Sequence, residues 1–247
     1  MAESKKTIVL ITGANGGIGF EVAAQLLADA SKHVLLGSRS LEKGKAAIDE
    51  LQKRNLPGTV ELIQIDVTDE KSVAAAVKQV ESNHEYLDIL VNNAAIGSPT
   101  GAIGEALTAS FLTNATGPAV VVEAFKPLMK KSIGTPRIVN VSSGAGSITV
   151  RLDSTNPFYE MEFNPYRASK AALNMITACQ AVKYGKLGWK VFAFCPGFTV
   201  SNLGEMNKVE NGAKPTSEGA SPIVDIINGA RDEEHGKFLN IGGQYPW

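Results

Sequence analysis

Residues 8–19 constrain this chain more than any other stretch. Ile8-Val9-Leu10-Ile11 is a short unbroken apolar run, the pattern of a strand buried on both faces. Gly13-Ala14-Asn15-Gly16-Gly17-Ile18-Gly19 follows at once, and Phe20 to Ala30 then carries helical apolar spacing. Strand, glycine-rich turn and helix make the first unit of a dinucleotide-binding βαβ arrangement. The glycines let the backbone approach a pyrophosphate, and N–H groups at the helix N-terminus meet its charge. The spacing is Gly-x-x-x-Gly-x-Gly rather than the commoner Gly-x-Gly-x-x-Gly. Glycine turns also make plain tight corners; the strand–turn–helix setting is what points to phosphate. Gly13, Asn15, Gly16, Gly17, Ile18 and Gly19 are the expected cradle.

His33 to Gly37 reads as a second strand. A site for NAD would place an acid about twenty residues past the glycines to hold the ribose 2′-hydroxyl. Gly37-Ser38-Arg39 stands there instead. The planar fork of Arg39 suits a 2′-phosphate, so NADPH (or NADP+) is the expected cofactor, against the plainer reading of a surface arginine. Thr59 to Ile65 is a third strand ending in Asp66-Val67. Asp66 either accepts from an adenine amino group or caps a helix from about Glu70. Leu87 to Val91 is a fourth strand, with Asn92-Asn93-Ala94-Ala95 at its C-terminal end, where open α/β sheets bind ligands.

Further strands read at Arg137–Val141, Trp189–Cys195 and Lys237–Asn240, with helices between them. Thr216 is the expected cap of a short helix reaching Asn228. The expectation is an α/β fold, a single doubly wound Rossmann domain over 1–247 with a central parallel sheet of six or seven strands. The chain has 247 residues, 44% hydrophobic and 20% charged, enough for one sizeable core. Its net charge of −1 gives no footprint for nucleic acid or an anionic membrane. Two cysteines, Cys179 and Cys195, imply no disulfide framework. The basic residues at the start precede an apolar run too short for a signal segment or a membrane span. A cytoplasmic protein is expected, and no metal-ligand set is assigned.

Tyr166-Arg167-Ala168-Ser169-Lys170 opens a helix running to about Lys186, which puts a phenol and an ammonium on one face. A neighbouring cation lowers a phenol's pKa toward useful catalytic range. Asn114 lies inside a long helix read over Gly104–Lys131, as a satisfied amide or as a partner for bent backbone or a water. Alternation along Arg137–Val141 and beyond puts Ser142 and Ser143 on opposite faces, so one of them can face a site. The stretch 144–165 lacks periodicity and mixes aromatics with acids, as lids and loops covering a core edge both do.

These residues together resemble the short-chain dehydrogenase/reductase family over nearly the whole chain. Thr12-Gly13-x-x-x-Gly17-x-Gly19 is similar to its cofactor motif, Asp66-Val67 to its adenine-binding pair and Asn92-Asn93-Ala94 to its third motif. Asn114, Ser143, Tyr166 and Lys170 are similar to its catalytic four, Ser143 being the functional serine by register. Ser38-Arg39, the long loop before Tyr166, Cys195-Pro-Gly-Phe and the tail to Trp247 resemble the NADPH-dependent carbonyl reductase branch. Ala95 replaces a usual glycine, Ser201 stands where a threonine often holds the carboxamide, and the glycine turn lacks a basic residue many NADPH-using members carry.

The resemblance implies reduction of a ketone or aldehyde. Ser143 and Tyr166 would bind the carbonyl oxygen, and Tyr166 would give up its proton. Lys170 would lower the Tyr166 pKa and hold the ribose, and Asn114 would fix a relay water. It implies cofactor contacts from Ser38, Arg39, Asp66, Val67, Asn93, Ala94, Tyr166, Lys170, Pro196, Gly197, Thr199 and Ser201. Phe158, Tyr159, Met161 and Phe163, with Phe198, Leu203 and Met206, suggest an apolar or aromatic substrate or ordinary packing. The long loop favours a monomer. Other readings are an NAD-linked dehydrogenase and a non-redox cyclase, isomerase or dinucleotide sensor on the same fold.

Overall fold

The computed structural model describes residues 5–247; residues 1–4, on which part of the N-terminal reading falls, lie outside the described residues. The chain runs β1 (Thr7–Ile11), α1 (Gly17–Leu26), β2 (Lys32–Ser38), α2 (Leu41–Lys53), β3 (Thr59–Gln64), α3 (Glu70–His84) and β4 (Ile89–Asn92). Then come α4 (Ile103–Phe111), a π-helical turn (Leu112–Thr116), α5 (Gly117–Met129), β5 (Arg137–Val141) and the short α6 (Ile148–Arg151). The remainder is α7 (Asn164–Gly185), β6 (Lys190–Phe194), α8 (Thr216–Ile227), β7 (Phe238–Asn240) and β8 (Gly243–Gln244).

All eight strands form one sheet, ordered β3-β2-β1-β4-β5-β6-β7-β8 and parallel from β3 to β7. Strand order reverses between β1 and β4, which opens a crevice at their C-terminal ends. Period-2 alternation splits the core in two. Val9, Ile11, Val34, Leu36, Val139 and Phe192 pack under α1, α2 and α8. Ile8, Leu10, Leu35, Leu90, Ile138 and Val191 pack under α3, α5 and α7. Tyr184 of α7 stacks on Trp189 with centroids 4.9 Å apart, closing the second layer where α7 turns into β6.

Four sequence expectations need correction. The sheet has eight strands, not six or seven: β8 is a two-residue antiparallel partner of β7, reached by a tight reversal at Ile241-Gly242. It is too short to show periodicity. Asp66 does not cap α3; Asp69 does, its carboxylate accepting from Lys71 N at 2.9 Å. Asp66 Oδ1 instead accepts from the Thr68 N–H and hydroxyl, so it holds the preceding turn. Thr216 is the first residue of α8 rather than its cap, and no side chain caps that end. The helix read over 104–131 is two α-helices joined by the π-turn that carries Asn114. Among the described residues, no helix is long and apolar enough to cross a membrane.

Candidate active site

The glycine turn is built to leave a helix end open. Gly13 and Gly17 have φ of +65° and +57°, the left-handed region that glycine enters without a Cβ penalty. A Cβ on Gly13 would stand 2.9 Å from Ala94 Cα, and one on Gly19 would stand 2.4 Å from Asn93 Nδ2. The first turn of α1 has no acid, and no side chain caps it. Its N–H groups therefore remain available for an anion.

Around that turn the expected contacts divide. The Asn93 amide donates to Thr12 O (2.9 Å) and Gly13 O (3.1 Å), so it locks the turn rather than pointing away from it. Thr12 Oγ1 accepts from Asn93 N and Ala94 N, which fixes the end of β4 to the end of β1. Buried Ser38 donates to Ser40 O at 2.8 Å, with Asn15 Oδ1 3.2 Å away, bracing the turn against β2. Arg39 is exposed, and among the described residues its guanidinium has no hydrogen-bond or ion-pair partner. No acid stands beside it on β2. Val67 is buried, its carbonyl 2.9 Å from where a Gly117 Cβ would lie.

After β6, Gly197 takes φ of +78° and the chain turns back over the glycine turn. Ser201 Cβ lies 3.7 Å, and Asn202 Nδ2 3.5 Å, from ideal Cβ positions on Gly17 and Gly16 respectively. Thr199 is buried, its hydroxyl donating to Pro196 O at 2.9 Å, so it shapes the bend. These facts fit a nicotinamide dinucleotide: an uncapped helix end, a backbone clear of Cβ atoms and a free guanidinium at the ribose end of β2.

The second half of the site sits on α7. Pro165 near its start fits a first helical turn, whose N–H groups need no helical partner. Lys170 is buried, and its Nζ donates to Val141 O at 2.8 Å, pinning α7 to the end of β5. The ammonium stands 5.7 Å from the Tyr166 ring centroid. Burial lowers the Lys170 pKa to about 8. Burial raises that of Tyr166 to about 12, with the nearby Ser143 hydroxyl pulling the other way. The expected depression of Tyr166 by Lys170 is thus not found in this state. The Lys170 ammonium, turned to the Val141 carbonyl, is not among the groups that shift Tyr166, and burial is the largest influence on it.

The two serines have separate duties, as alternation requires. Ser142 donates to Asn174 Oδ1 at 2.6 Å and is buried. Ser143, on the other face, accepts from Ala145 N and stands beside Tyr166. Asn114 is fully buried in the π-turn, where it joins the loop after β4 to Ser169 of α7 (3.0 Å). Ser169 in turn donates to the Tyr166 carbonyl at 2.8 Å.

Sequence reasoning missed several supports. Asn174 lies one helical turn beyond Lys170, a spacing that could have flagged it. Cys195 Sγ accepts from Gly144 N at 3.0 Å and is buried; burial raises its thiol pKa. The Tyr245 hydroxyl lies 2.6 Å from where a Gly144 Cβ would be, so the C-terminal tail closes one wall. The tail is docked, with Trp247 stacked on Phe238 and its carbonyl accepting from Ser147 and Thr149. The 144–165 stretch is partly helical and meets the opposite loop through Phe158 and Phe198, 5.9 Å between ring centroids. Arg167 holds it by donating to Phe158 O and Met161 O.

Residues 7–211 match the short chain dehydrogenase family model. The short-chain dehydrogenase anuI of Penicillium roqueforti (strain FM164) is 38% identical, over 97% of this chain and 96% of its own length. The (+)-neomenthol dehydrogenase of Arabidopsis thaliana is 32% identical, over 92% of this chain and 93% of its own. The NADPH-bound carbonyl reductase from chicken fatty liver superposes with a TM-score of 0.82 at 26% identity, over 99% of this chain and 100% of its own. With the motif residues gathered around one crevice and the match running nearly end to end, this chain belongs to the short-chain dehydrogenase/reductase family of oxidoreductases.

Proposed function

We propose that the chain acts as one domain that reduces a ketone or aldehyde carbonyl to an alcohol with NADPH. The observation that carries this reading is geometric: the Tyr166 phenol stands beside the Ser143 hydroxyl, with the Lys170 ammonium 5.7 Å from its ring, at the strand ends that also carry the open glycine turn. A phenol with a pKa near 12 is a proton donor at neutral pH, not a base. The choice of NADPH rests on the free Arg39 guanidinium and the absence of an acid beside it on β2.

NADPH, when bound, supplies the hydride. The chain supplies position and charge. Ser143 and Tyr166 donate to the substrate oxygen and stabilise negative charge as it grows there. Tyr166 releases its proton to that oxygen, and Lys170 stabilises the resulting phenolate. Asn114 positions rather than reacts: both its amide N–H groups are engaged, leaving one lone pair on Oδ1 for a water. Phe158 and Phe198 roof the cleft with aromatic surface, which suits an apolar or aromatic substrate. Action in the cytoplasm accords with this chemistry. The monomer expected from the long loop is weakened by Met175 and Val182, which α7 leaves exposed; sedimentation measures it directly.

The test is loss of NADPH absorbance across ketones, aldehydes and quinones, with Tyr166→Phe alongside. Turnover of some carbonyls that the variant loses supports the reading. NADPH binding without turnover of any carbonyl counts against it.

A further inference from the structure

Where the strands begin, on the side of the sheet away from the glycine turn, three side chains from separate elements converge. His33 comes from β2, Glu61 from β3 and His84 from the last turn of α3. One ligand atom from each lies within 4.8 Å of the other two. His84 Nε2 is 2.7 Å from Glu61 Oε2 and His33 Nε2 is 3.7 Å from the same oxygen. The imidazole centroids are 4.6 Å apart, tilted at 44°.

An ordinary polar cluster would satisfy its own atoms, and this one does not. His33 Nε2 is buried without a hydrogen-bond partner. Its other ring nitrogen lies 2.7 Å from Thr59 Oγ1. In the tautomer whose Nδ1–H donates to Thr59, Nε2 carries a lone pair with no donor to meet it and faces Glu61 Oε2 at 3.7 Å. Glu61 is held from behind: its Oε1 accepts from Gln79 Nε2 and Asn83 Nδ2, both at 2.9 Å, which leaves Oε2 for the cluster. Outer hydrogen bonds of this kind orient metal ligands.

We propose that His33, Glu61 and His84 form a zinc site that clamps β2 and β3 to the end of α3. Two imidazoles and a carboxylate are a donor set zinc takes, with water in the open position. Zinc sits about 2.0–2.2 Å from such donors, which puts tetrahedral donors roughly 3.4 Å apart. Small side-chain rotations bring the present atoms to that spacing. The side chains keep 16%, 24% and 17% exposure in the order His33, Glu61, His84, so an ion and its water can enter. The carboxylate offsets part of the ion's charge, and the C-terminal end of α3 favours a cation. Lys6, which donates to Thr59 at 3.2 Å, is an opposing charge near His33 among the described residues. The ligands at 33, 61 and 84 have no motif spacing, which is why the sequence assigned no metal.

The experiment titrates untagged full-length protein with Zn²⁺ in a non-chelating buffer and follows the histidine ring signals by NMR. The chain has three histidines. The third, His235, is engaged elsewhere, its Nδ1 accepting from Val191 N at 2.9 Å. One ion per chain should bind with a dissociation constant below about 100 µM, moving two histidine signals and leaving the third. The unfolding midpoint should rise by about 5 °C or more at a hundredfold excess over that constant. Glu61→Gln and His84→Asn should each weaken binding at least about tenfold. Weaker wild-type binding, equal movement of His235, or variants that bind as tightly would overturn the site. The readout uses no turnover, so it stands or falls apart from the reductase reading.

Discussion

Asn114 pairs both ends of its amide with one residue, Ile96: Oδ1 accepts from Ile96 N at 2.9 Å and Nδ2 donates to Ile96 O at 3.0 Å. The side chain thus behaves like one rung of a sheet, placed where the loop after β4 has no strand to pair with. Asn114→Ala strips both groups of partners, each costing about 1–3 kcal/mol when buried. Urea unfolding should show a loss of roughly 2–6 kcal/mol. Turnover should fall too, because the same amide reaches the Tyr166 backbone through Ser169.

Lys170 sets the pH limit. Its folded pKa of about 8 and that of Tyr166 near 12 mean that below pH 8 the ammonium is charged and the phenol protonated. That is the protonation state the proposed reduction needs. Above pH 8 the ammonium is lost first, so kcat/KM for reduction should be level through neutrality and fall about tenfold per pH unit beyond that point. Lys170→Arg keeps its charge across this range. Its rate should be lower, but its profile should lack that descending limb.

Arg39 should separate the two cofactors. Removing a charged hydrogen bond costs about 1.5–3 kcal/mol. Arg39→Ala should therefore raise the KM for NADPH by roughly 10–150-fold. The KM for NADH, which has no 2′-phosphate, should hardly move. Equal effects on both would remove the guanidinium from cofactor choice.

Two glycines should respond with opposite signs to the same change. Gly19→Ala drives a methyl to 2.4 Å from Asn93 Nδ2, an amide fixed to two carbonyls, and should cost about 1–3 kcal/mol with loss of NADPH affinity. Gly104, on α4, has nothing within 4 Å of its ideal Cβ. Gly104→Ala should stabilise by roughly 0.4–1 kcal/mol. Thermal unfolding of both variants reads the contrast.

Much of this architecture was legible because buried parallel strands are apolar runs ending in small or polar residues. The stretch Ile8–Ile11 lies within β1, Arg137–Val141 matches β5, and alternation separated Ser142 from Ser143. What escaped was whatever depends on contacts between distant segments. The pattern through Asn114 stayed helical because a π-turn inserts one residue without breaking the apolar face on either side. Asp66 and Asp69 are both acids before a helix, and only the backbone shows which one is at its start. The Tyr166 expectation weighed a neighbouring charge but could not weigh burial. His33, Glu61 and His84 meet only in three dimensions.

The two cysteines differ in a way that matters at the bench. Cys179 is exposed on α7 between Met175 and Val182, whereas Cys195 is buried with its thiol pKa raised. A maleimide dye therefore attaches at one address on the untreated protein, on the outer side of the helix that carries Tyr166 and Lys170. Single-site labelling needs no cysteine deletion, and a second dye taken up during unfolding would time the exposure of the crevice floor.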